Sequence, residues 1–87
     1  MMTSIFTFGI RFEVAQDVLG ALISHWAAEI AALSDAGNTD RELIARAMTE
    51  LRKYRAVRAE LNPRDPVQIE AVIAKHGALA KQFFASP

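Results

Sequence analysis

Two histidines, ten carboxylates and four serines are the groups with which this 87-residue chain could do chemistry. His25 and Glu29 stand four apart, so on a helix they occupy adjacent turns and offer half a metal site. Zinc takes three or four protein ligands, and no HExxH spacing supplies the others. A polar pair at the edge of an apolar face accounts for them more simply, and no metal or other cofactor is expected. Glu13 and Asp17 are also four apart, and paired carboxylates can do acid–base work. Their place in the first turn of a helix explains them equally through the macrodipole. His76 falls at the centre of an apolar stripe; buried there, it would be neutral, with a lowered pKa. No GxSxG setting activates a serine, and the glycines at 9, 20, 37 and 77 form no phosphate loop. The chain reads as something other than an enzyme.

The densest basic run is Arg52, Lys53, Arg55 and Arg58, in the carboxyl-terminal half of a helix. Cations are favourable at that end of any helix, and Arg52 and Lys53 point away from its apolar stripe, as solvated residues do. The other reading is a site for an anionic partner. Net charge is zero, but residues 1–40 hold one basic residue against five acidic ones, and residues 41–87 hold nine against five. That balance argues against broad electrostatic attraction to nucleic acid and leaves room for a local patch.

Several elements must position these groups. In Phe6-Thr7-Phe8-Gly9-Ile10-Arg11-Phe12, the large apolar residues alternate with Thr7, Gly9 and Arg11, the period-2 pattern of a half-buried strand. No later segment repeats it, and a lone strand leaves its backbone unpaired. The pattern therefore predicts a strand over residues 1–13 that pairs with the same strand of a second chain as an antiparallel ribbon. A helix over about 14–34 follows, with Val18, Leu19, Leu22, Ile23, Trp26, Ile30 and Leu33 on one face. Gly20, Ser24, Ala27, Ala28 and Ala31 lie opposite: either a second face for close packing, or alanine used as a helix former. Gly37 ends this helix in the left-handed conformation.

A second helix, about 40–61, opens with a capping box between Thr39 and Glu42. It carries Leu43, Ile44, Ala47, Met48, Leu51 and Tyr54, where the core is expected to end; Arg58 falls in the same stripe and would either snorkel at the core edge or pair with a carboxylate. Asp65 as N-cap, Pro66 at the first position and Gln68 at the third start a third helix, about 66–84. Its inner side is expected to hold Ile69, Val72, Ile73, His76, Leu79, Ala80, Phe83 and Phe84.

The fold class is thus mainly α, a single domain over 1–87: strand 1–13, a two-helix unit 14–61 and an additional helix 66–84. A hydrophobic content of 52% in so short a chain predicts an oligomer. Ser24, His25 and Glu29 interrupt the most apolar window, so no membrane span is expected. The lack of cysteine, and of a basic leader after Met1, fits the cytoplasm.

Two segments carry a family likeness. Thr7-Phe8-Gly9-Ile10-Arg11-Phe12 with Val18-Leu19, and Glu42-Leu43-Ile44-Ala45-Arg46-Ala47-Met48, resemble the ribbon and second helix of the ribbon-helix-helix family of bacterial and phage DNA-binding proteins. The resemblance implies a homodimer, or a tetramer built from it, that inserts its ribbon into the major groove of duplex DNA and regulates transcription. Thr7, Gly9 and Arg11 would then face DNA, with Arg11 bonding guanine. The backbone at Asn38 and Thr39, with Arg41 nearby, would hold a phosphate. The chain departs from the family in its glycine at the middle reading position and in Glu13 at the usual junction proline. Its first helix is longer, and its third helix is additional. The alternative is a dimeric helical module that binds another protein and no DNA.

Overall fold

The computed structural model describes the backbone of residues 3–37 and 40–85, and the side chains of residues 9–37 and 40–83. The described residues form three helices: α1 (Thr3–Asp35), α2 (Arg41–Ala59) and α3 (Pro66–Ala85). The mainly α class is correct and the amino-terminal strand is not. No strand occurs among the described residues, and residues 3–13 of the segment assigned to an intermolecular ribbon form the opening turns of α1.

The reason lies in a second period hidden in the same residues. Phe8, Phe12, Ala15, Leu19, Leu22 and Trp26 are spaced alternately four and three apart, so the helical stripe of α1 continues back through the supposed strand. Ala15, Leu19 and Leu22 are fully buried, with Phe12 and Trp26 packed against them. Ile10, which the alternation would have buried, is 58% exposed. A helix also pairs each N–H with the carbonyl four residues back, whereas a strand would need another chain to do so.

At its other end α1 closes as expected. Gly37 has φ +67° and donates its N–H to Ser34 O at 3.0 Å. The N-cap of α2 is Asp40 rather than Thr39, which lies outside the described residues. Asp40 Oδ1 accepts from the N–H of Glu42 at 3.0 Å and of Leu43 at 3.3 Å. A carboxylate placed there also meets the positive end of the helix.

The connection from α2 to α3 is cross-braced. The Asp65 carboxylate accepts from Gln68 N–H at 3.0 Å, the N-cap bond expected from the sequence. The Gln68 amide then donates to Glu60 O at 2.9 Å and accepts from Asn62 N–H at 2.7 Å. Asn62 Oδ1 in turn accepts from Arg64 N–H at 2.9 Å. One side chain, Gln68, thereby occupies backbone groups that the end of α2 leaves without helical partners.

α2 and α3 each pack along α1, with no close backbone approach to one another. The short connection after α1 returns α2 antiparallel to it. α3 runs parallel to α1: Arg11 meets Glu70 near one end and His25 meets Phe83 near the other. Across the gap between α2 and α3, the Tyr54 and His76 rings meet edge to face at 5.4 Å. The core runs past Tyr54, where the sequence placed its edge, to Val57 and Leu61, and it includes Ile69, Val72 and Ala80 of α3.

This arrangement is open. Its radius of gyration is 15.3 Å, where a compact chain of this length has about 12 Å. Its accessible surface is 6398 Å², against about 5,100 Å² for a compact monomer of the same mass.

Candidate interaction groove

A groove runs beside α1. Asp17, Gly20 and Ser24 lie along it, Arg58 lines it from α2, and Phe83 lines it from α3. It encloses about 780 Å³ and is open to solvent along its length. Gln16, Ile23 and His25 of α1 line it as well, with the smaller Gly20, Ala21 and Ser24 between them. A β-carbon built on Gly20 would meet nothing within 4 Å.

Phe83 is fixed by His25, whose ring stacks on it with centroids 3.6 Å apart and planes 3° from parallel. His25 also meets Trp26 edge to face at 5.0 Å. Its ring face is thus committed to packing, and Glu29 is exposed on the next turn. Among the described residues no three His, Asp or Glu side chains come together to hold a metal ion.

Asp17 and Arg58 have no ion-pair partner among the described residues; the ion pairs there are Arg11–Glu70 and Lys53–Glu50. The groove therefore offers Asp17, Arg58, the Phe83 ring and the polar and small side chains of α1 between them.

The residues selected from the sequence are scattered. Arg11 is bidentate to Glu70: its Nε donates at 2.8 Å and its Nη2 at 2.6 Å. Its fork is thus filled by a carboxylate. Gly9 and Arg11 lie on α1, where residues two apart point in nearly opposite directions. Thr7 is in the backbone of α1, with its side chain outside the described residues, as are Asn38 and Thr39 altogether. Arg41 is the first residue of α2, exposed, with no ion pair among the described residues.

The groove as a whole was missed, although Gly20, Ser24 and Arg58 each stand out in the sequence. A signal was available: an arginine inside an apolar stripe, beside a helix with one small-residue face. His76 is half-buried in contact with Tyr54, and its pKa is lowered, first by burial and then by the charges of Lys75 and Lys53.

No family model, curated protein or solved structure matches this chain. Among the described residues no helix is long and apolar enough to cross a membrane.

Proposed function

We propose that this chain is a protein–protein interaction module, a helical scaffold whose groove along α1 receives a protein partner. One observation carries the reading: an open groove of about 780 Å³ whose lining mixes polar and aromatic side chains. A module of this kind would work in the cytoplasm, a setting that the absence of cysteine fits.

The test is a photo-crosslinking residue in place of Ser24, with the full chain expressed in its own cells. A protein adduct from Ser24, absent when the same residue replaces exposed Val67, is the expected result. No protein adduct from Ser24 would refute the reading.

Duplex DNA is the second reading, and it no longer involves a ribbon. The favouring observation is α2, with six basic residues against two acidic ones and with Arg46, Arg52 and Arg55 exposed without ion pairs among the described residues. Such contacts would address phosphates, so affinity would fall steeply with salt. A titration with duplex at low salt that shows no binding removes this reading.

A further inference from the structure

We infer that the partner's docking segment is rich in carboxylates and lies along α2 on Arg52, Arg55 and Arg58, with one end in the groove. The inference rests on the module reading above and names the chemistry of its partner.

The basic run of α2 divides into two parts. Lys53 is committed within the fold: its ammonium pairs with Glu50 at 2.8 Å and stands 4.8 Å from the centre of the Tyr54 ring. Arg52, Arg55 and Arg58 are exposed and have no ion pair among the described residues. They are spaced three apart, so each adjoins the next on the helix surface, and the row spans about 9 Å of the axis. The other acid of α2, Glu42, lies about 15 Å along the axis from Arg52. Like charges side by side repel, and carboxylates placed between them relieve this. Arginine suits that partner, because its fork takes a carboxylate through two bonds. Arg11 does so with Glu70 in this same fold.

The row runs into the groove. Arg58 is its last member, and it lines the groove together with Gln16, Ser24 and Phe83. A segment seated on the row therefore meets hydrogen-bonding side chains and an aromatic ring at its end.

The groove also favours a protein segment over duplex DNA. Asp17 lines it, and α1 carries four acidic residues against one basic. A duplex is anionic along its whole length, so it would bring negative charge against Asp17. A peptide can set carboxylates on the row and a neutral or basic residue beside Asp17. Three cations are also few for a duplex, whose affinity comes from many phosphates neutralised at once.

The test is the fluorescence anisotropy of labelled decaglutamate titrated with the purified full chain at low salt. The wild type is expected to bind it, and more tightly than a labelled duplex of twenty base pairs in the same buffer. Arg55→Glu, in the middle of the row, should weaken binding about tenfold. Arg46→Glu makes the same change of charge on the same helix, nine residues or about two and a half turns earlier, where the side chain is exposed on the opposite side. It should weaken binding less than twofold, and both variants should keep the circular dichroism of the wild type. No binding of decaglutamate, or an equal loss from Arg46→Glu, overturns the inference; tighter binding of the duplex assigns the row to DNA and overturns it as well. The Ser24 crosslink, repeated in Arg55→Glu, separates this failure from the larger one. A protein adduct undiminished by Arg55→Glu refutes the acidic segment and leaves the module standing, whereas no protein adduct from either chain refutes both.

Discussion

Gly20→Ala is the substitution for which sequence statistics and the structure together give a definite sign. Within one protomer the added methyl group meets nothing within 4 Å, so no packing term opposes it. The backbone gains what a mid-helix glycine gives up, about 1 kcal/mol relative to alanine. In a domain of this size that corresponds to a midpoint rise of about 4–8 °C. It is a sizeable part of a total stability of about 4–13 kcal/mol for 87 residues. The assay is thermal unfolding followed by circular dichroism and by the fluorescence of Trp26, the single tryptophan, which packs against the core. In dilute solution the variant should melt above the wild type. A lower midpoint in dilute solution would mean that something inside the protomer packs on Gly20, and the open groove would be wrong.

Other outcomes follow from the same structure. Gly37→Ala should destabilise by about 1–2 kcal/mol, because a side chain at φ +67° is strained even with open space around it, and a denaturant midpoint checks this. Leu19→Ala removes a fully buried side chain from the centre of the core and should cost about 2–5 kcal/mol in the same measurement. The His76 pKa is lowered in the folded chain, so the unfolded chain takes up the proton first as pH falls. Stability should be level above the ordinary histidine value of about 6.5 and decline below it, and a His76→Phe chain should lose that part of the decline. Arg11→Ala breaks an exposed ion pair, so its effect on stability should be slight and should vanish in high salt. A large loss there would show that the pair fixes the start of α3.

The parts of the fold that were legible in the sequence are those governed by residues close together along the chain. Asp65, Pro66 and Gln68 specify the start of α3 through bonds spanning three residues, and Gly37 specifies the end of α1 by its own backbone. Such signals need no knowledge of what packs where. The cap of α2 was one residue off because Thr39 and Asp40 are both good caps, and the carboxylate took the bonds to Glu42 and Leu43.

The amino-terminal segment was misread for a different reason. Seven residues with apolar groups at 6, 8, 10 and 12 satisfy a period of two. Those at 8 and 12 also satisfy the four-and-three spacing that continues through Ala15, Leu19, Leu22 and Trp26. Over seven residues alone the two periods compete; over nineteen, only the helical one survives. Cooperativity then decides, since a helix already nucleated in residues 15–26 extends backwards by adding one hydrogen bond for each residue fixed. A strand would have to wait for a second chain.

The same consideration separates the groove from the resemblance. Contacts from Thr7, Gly9 and Arg11 to DNA require side chains two apart on one face, a geometry that only an extended chain provides. In α1 that alternation is lost, and Arg11 turns to Glu70. Gly20, Ser24 and Ala27, by contrast, recur at intervals of four and three, so the helix that removes the ribbon aligns them on one side. Extending α1 to thirty-three residues therefore removes the alternation a ribbon would need and lines up small residues along one side of the helix instead.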